Sequence, residues 1–96
     1  MKQILFSLLL ALALAQPGAA AADCYVEYKA KQDSPLRLHY GILAIGGSCP
    51  SANAAQQIAA DRVAAGGWTL LTVTGLSTTP PSSQMIANAG PYYLRF

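Results

Sequence analysis

From Cys24 to Lys31 apolar and polar positions alternate, with Val26 and Tyr28 on one side and Glu27 and Lys29 on the other. A period of two puts successive side chains on opposite faces, so this stretch is predicted as a strand. Asp33-Ser34-Pro35 has turn chemistry. Leu36 to Ile45 is predicted as a second strand, with Leu38, Tyr40 and Ile42 on one face and Arg37 and His39 on the other. Gly46 to Pro50 is a loop. From Ser51 to Ala65 alanine dominates and the period becomes helical: Ala55, Ile58, Ala59 and Val63 form a narrow apolar stripe, and Asn53, Gln57 and Asp61 face away from it. Ser51 or Asn53 can cap the start, with Gln56 at capping-box distance from Asn53, and Gly66-Gly67 ends the helix.

Trp68 to Leu76 is predicted as a third strand, rich in Thr, Val and Leu. In the following stretch, Thr79-Pro80-Pro81-Ser82 forbids regular pairing, and Gln84 to Asn88 can make a helical turn stopped by Gly90. Tyr92 to Phe96 is predicted as a closing strand. The order β-β-α-β-β predicts an α+β fold, a four-stranded antiparallel sheet with one helix on one face. A right-handed crossover gives strand order 2-1-3-4.

The first residues follow a different pattern. Lys2 supplies a positive charge, and Ile4 to Leu14 is an apolar run interrupted only by Ser7. Such a run falls short of the ~20 residues that span a bilayer and matches the hydrophobic region of a secretory signal. Pro17 and Gly18 break the run, and Ala19 to Ala22 supply the small residues that a signal peptidase accepts. The reading is a signal peptide over 1–22, cleaved after Ala22, and a single small domain over 23–96. An uncleaved anchor would have to hold Gln16, Pro17 and Gly18 in the membrane, and Asp23 immediately before Cys24 argues against lipid attachment there. The expected location is periplasmic or extracellular, with membrane contact only transiently, through the signal.

Export changes how the rest is read. Beyond the signal, Lys29, Lys31, Arg37, Arg62 and Arg95 stand against Asp23, Glu27, Asp33 and Asp61, a net charge of +1. That balance does not suggest a polyanion binder, and export disfavours nucleic acid as a partner. A domain this small buries a thin core and needs a staple. Cys24 and Cys49 are the only cysteines, and an oxidising compartment favours their bonding. The bond would close a loop of about 26 residues, worth roughly 3 kcal/mol. A hairpin about Asp33-Ser34-Pro35 puts Cys24 opposite residue 44 or 45, and Gly46-Gly47 can turn the chain back toward it.

Three motifs, Tyr25-Val26-Glu27-Tyr28-Lys29, Val63-Ala64-Ala65-Gly66-Gly67-Trp68-Thr69-Leu70 and Tyr92-Tyr93-Leu94-Arg95, together resemble a small bacterial family of unknown function. That family has a Tyr-x-Tyr-Lys first strand, a Gly-Trp-x-Leu strand start after the helix, and a closing Tyr-x-x-Lys/Arg strand. Thr69 stands where the family carries Glu, and the strand at Leu36 to Ile45, the signal and the cysteine pair are additions. The resemblance implies a fold and brings no activity.

Catalytic constellations are scarce. Gly41 to Ser48 has the outline of a phosphate-binding loop, but Gly47 replaces the lysine that must reach the phosphates. Cys49 as a nucleophile with His39 as base requires a free thiolate, which a disulfide removes. His39, the single histidine, lacks the companions a zinc site needs. No pair of acids converges, since Asp23 is near the new terminus, Asp33 is in a turn, Asp61 is on the helix and only Glu27 lies on a strand. Ser82 and Ser83 have no base nearby in sequence, and Trp68 is expected to anchor the helix to the sheet. No cofactor or metal is implied.

What remains is a polar sheet face. If the alternating residues align outward, Tyr25, Lys29, Lys31, Arg37, His39, Tyr93 and Arg95 share it with Glu27. Cations interleaved with aromatics suit an anionic or sugar-like ligand, or an envelope protein. The expected function is therefore a non-catalytic binding or interaction module. The alternatives are an exported hydrolase or thiol-redox protein, and a structural envelope component, such as a homodimer paired through sheet edges.

Overall fold

A computed structural model of the chain describes residues 23–96; the segment read as a signal peptide lies outside them. The first hairpin forms as its alternation requires. Strand β1 (Cys24–Gln32) and strand β2 (Arg37–Ile45) run antiparallel. Their register pairs Cys24 with Ile45, Tyr28 with Gly41, Lys29 with Tyr40 and Ala30 with His39. The turn between them contains Ser34 at φ 62° and a cis Ser34–Pro35 bond.

Helix α1 (Ala52–Ala65) starts at Ser51, whose Oγ accepts the Ala54 N–H at 3.2 Å. It ends in a Schellman arrangement. The Gly67 N–H donates to the Ala64 carbonyl at 3.0 Å and the Trp68 N–H to the Val63 carbonyl at 2.9 Å. Gly67 sits at φ 87°, the left-handed conformation that this reversal needs and that glycine adopts without steric cost. The reversal sends Trp68 back toward the sheet. Strand β3 (Thr69–Ser77) then pairs antiparallel with β1, so the sheet has the order β2-β1-β3. Two register shifts interrupt the β1–β3 pairing, leaving Leu71 and Thr74 without a partner on β1. No helix among the described residues is long and apolar enough to cross a membrane.

The fourth strand expected at Tyr92–Phe96 does not form, and this corrects the four-stranded β-β-α-β-β arrangement. The sheet has three strands among the described residues, and there are two helices, the second the short α2 (Ser83–Ala89). After α2 the chain makes a 3-10 turn over Gly90–Tyr92, with Pro91 at its start. Proline supplies no ladder N–H, and Leu94 at φ 54° takes the backbone out of extended geometry. All that remains of a strand is one parallel bridge between Tyr93 and Ile42, with the Leu94 N–H donating to the Ile42 carbonyl at 2.8 Å. The segment thus lies beside β2. The predicted order put it beside β3.

The core sits between the sheet and α1. Cys24, Val26, Tyr28 and Ala30 of β1 and Leu43 of β2 are fully buried against Ala59 and Val63 of α1, with Trp68 closing the end. The small alanine side chains let the helix come close to the sheet, and Arg62 ties its last turn to β2 by donating to the Ala44 carbonyl at 2.6 Å. The Cys24–Cys49 disulfide is present, with Cα atoms 4.9 Å apart. The chain reaches it by turning at Gly46 and at Gly47, whose φ is 84°. On the opposite sheet face, α2 packs against β2, and Ile42 there is fully buried.

Candidate functional site

The register determines which face each side chain occupies. Residues paired directly across antiparallel strands share a face. Tyr25, Glu27, Lys29 and Lys31 of β1 therefore share the face away from α1 with Leu38, Tyr40, Ile42 and Ala44 of β2. Arg37 and His39 lie on the other face, the one that α1 covers. The expected basic patch is accordingly divided. Tyr25, Lys29 and Lys31 stay together on the open face, Arg37 is exposed at the hairpin end, and His39 is only 8% exposed. Tyr93 is bridged to Ile42. The Arg95 guanidinium lies 5.8 Å from the centre of the Tyr92 ring and 6.0 Å from that of Phe96.

His39 is the centre of an aromatic cluster. Tyr92 stacks on it at 3.7 Å, Trp68 meets it edge-on at 4.3 Å, and Phe96 lies 6.0 Å away. Phe96 rests against Gly66, where any Cβ would collide with its ring. Tyr28 crosses over Gly41, its partner on β2, and its hydroxyl sits 2.9 Å from His39 Nε2. His39 Nδ1 is buried with no hydrogen-bond partner. Burial, and secondarily the charge of Arg95, hold the imidazole below its ordinary range, so it is neutral at pH 7. Burial and then Tyr92 push the Tyr28 hydroxyl up to about 12, so it stays protonated. Nε2 is engaged by Tyr28, and aromatic neighbours enclose the ring. His39 anchors the C-terminal segment to the core. Cys49, bonded to Cys24, is not available as a nucleophile while that bond stands.

The open face has a different character. Glu27 accepts a hydrogen bond from the Tyr40 hydroxyl at 2.9 Å. Burial, then that bond and the carboxylate charge, push Tyr40 up to about 12. Gly75, opposite Glu27 on β3, leaves room for this carboxylate, since a Cβ there would lie 2.7 Å from Oε2. Lys31 pairs with Asp33 at 3.3 Å. Lys29 is exposed and has no ion-pair partner among the described residues. It lines a shallow depression of about 290 Å³ together with Ala30, Leu38, His39, Tyr40 and Leu71. Leu38 is 65% exposed and Leu71 48%.

Tyr40, Leu38 and Leu71 were not among the residues expected at the site. Alternation alone puts Tyr40 and Leu38 on the second strand's other face, away from Arg37 and His39, and the hairpin register that sets Tyr40 opposite Lys29 is the signal that identifies them. Leu71 reaches the open face through a register shift, for which the sequence carries no sign.

No family model, curated protein or solved structure matches this chain. The fold and site define a small, disulfide-stapled α+β domain with one sheet face closed by α1 and the other only partly covered. A bonded cysteine pair fits an oxidising compartment.

Proposed function

We propose that the chain is an exported, non-catalytic binding module whose open sheet face takes an anionic ligand with an apolar or sugar-like body at Lys29. The observation that carries this reading is an exposed, unpaired ammonium between two exposed leucines and a tyrosine. A cation held in no ion pair among the described residues is free to meet an anion, and the flanking Leu38 and Leu71 offer apolar contact to whatever the anion is attached to. The Glu27–Tyr40 bond fixes the Tyr40 wall of the depression.

The test is a backbone amide NMR titration of the protein, exported and purified in oxidised form, with decanoate and with a decyl trimethylammonium salt. Decanoate should shift amides clustered at Lys29, Leu38, Tyr40 and Leu71; the cationic amphiphile should not; and Lys29→Glu should remove the response. Equal shifts with both amphiphiles, or an undiminished response in Lys29→Glu, would overturn the site. Terminal sequencing of the exported product tests the export reading separately, with Asp23 as the expected first residue.

A further inference from the structure

We infer that two copies of this chain associate through β3, antiparallel about a two-fold axis at Val73, to make one continuous six-stranded sheet. The reason begins with which edge is left bare. The C-terminal segment lies beside β2, so the outer edge of β3 has no strand beside it among the described residues. Over its nine residues, Thr69–Ser77, β3 has no charge and no proline. Exposed edges are commonly protected by lysines, prolines or covering elements, and apart from the two register shifts toward β1, β3 has none of these.

The sequence of this edge nearly reads the same in both directions about Val73. In the antiparallel self-pairing, Thr72 meets the partner's Thr74, Leu70 meets the partner's Leu76, and Thr69 meets the partner's Ser77. Leu71 meets the partner's Gly75, so the bulkier side chain lies over a position with none. Thr–Thr pairs and matched aliphatic pairs are favourable cross-strand neighbours, and no like charges oppose one another.

Burial points to the same occupant. Leu70, Val73 and Leu76 lie on the α1 side of the sheet, paired with Ala30, Tyr28 and Val26. They pack against the core but remain half-buried. They are spaced evenly about Val73, so the partner's same three residues would meet them across the axis and complete their burial. A two-fold axis perpendicular to the sheet also keeps both α1 helices on one face. Strand pairing alone buries less than the roughly 1,200 Å² of a stable interface. A groove of about 440 Å³ beside the same edge, lined by Gln57, Ala60, Ala64, Trp68 and Leu70 among others, offers the additional surface. Its small alanines let a second helix approach.

The test uses the exported, oxidised protein and light scattering across a dilution series. Wild type should scatter as a dimer that dissociates on dilution. Thr72→Lys/Thr74→Lys changes two exposed positions and sets like charges opposite each other twice, and should weaken the dimer roughly tenfold or more. Thr72→Lys/Thr74→Glu sets opposite charges across the same axis and should restore it. A monomeric wild type at high concentration would overturn the inference. A dimer equally insensitive to both variants would overturn the β3 interface. Circular dichroism and a cooperative unfolding transition for each variant separate lost pairing from lost folding.

Discussion

The Tyr28–His39 contact tests whether the single histidine serves the core. Tyr28→Phe keeps the ring over Gly41 but removes the hydroxyl that lies 2.9 Å from His39 Nε2. Nδ1 already lacks a partner, so both ring nitrogens would then be buried and unsatisfied. Leaving a buried polar atom unpaired costs about 1–3 kcal/mol. In urea, with a slope of about 1 kcal/mol per molar for so small a domain, that lowers the midpoint by roughly 1–3 M. His39→Phe behaves differently. It keeps a ring stacked on Tyr92 and edge-on to Trp68 and removes the orphaned Nδ1, at the cost of an unpaired Tyr28 hydroxyl. These changes offset, so the variant should lie within about 1 kcal/mol of wild type. The double variant leaves no orphan and should match or exceed wild type, giving a coupling of about 1–3 kcal/mol. Trp68, the only tryptophan and 4.3 Å from His39, reports unfolding by its fluorescence.

The same variants carry a pH test. The folded imidazole is held below its unfolded value, so as pH falls the unfolded chain takes up the proton first. Stability from His39 is therefore fully present above the unfolded value of about 6.5 and is lost as pH falls from there toward the lower folded value. Wild type should lose stability as pH falls below about 6.5, and His39→Phe should be flat over that range. A Tyr28→Phe change smaller than about 0.5 kcal/mol, or a wild type as flat as His39→Phe, would refute the reasoning.

Two further outcomes follow from the packing. Cys24→Ala/Cys49→Ala opens a link of sequence separation 25 and should cost about 3.5 kcal/mol by loop entropy, read as a lower urea midpoint. Gly41→Ala drives a methyl into the Tyr28 ring and should cost about 1–3 kcal/mol, with side-chain NMR shifts concentrated at Tyr28 and His39.

Much of the fold is legible in the sequence because local chemistry decides it. The Cys24–Lys31 alternation, the turn at Asp33-Ser34-Pro35, the alanine-rich helix, capped by Ser51 of the two candidates Ser51 and Asn53, the Gly66-Gly67 stop and the helical turn at Gln84 to Asn88 before Gly90 all stand in the structure. So does the cysteine pair, through the register of Cys24 opposite Ile45. What failed depends on relations between segments. Alternation sets Leu38, Tyr40 and Ile42 against Arg37 and His39, but does not say which set faces the helix. Hydrophobicity favours the first set; the register, by placing His39 opposite the buried Ala30, requires the second. The closing strand failed for a related reason. Tyr92, Tyr93 and Phe96 have strand propensity, yet Pro91 and the φ of Leu94 break the extended run, and Tyr92 and Phe96 cluster with His39 instead.

The destination of the C-terminal segment decides which surfaces remain for function. Helix α1 covers one face of the sheet and leaves the other face and both edges to the remaining segments. Stacking of Tyr92 on His39 and seating of Phe96 on Gly66 draw the segment to the β2 side, where Leu94 bonds Ile42 and α2 covers the adjacent part of the far face. Protection is thereby concentrated on one half of the sheet. The half left open contains Lys29, Leu71 and the uncharged edge of β3. Had the segment paired with β3 in the order 2-1-3-4, that edge would be covered and the self-matching run about Val73 would have nothing to meet. The buried His39 thus bears indirectly on which surface stays open. By helping to fix the tail beside β2, it leaves the β3 edge and the Lys29 depression clear of the C-terminal segment.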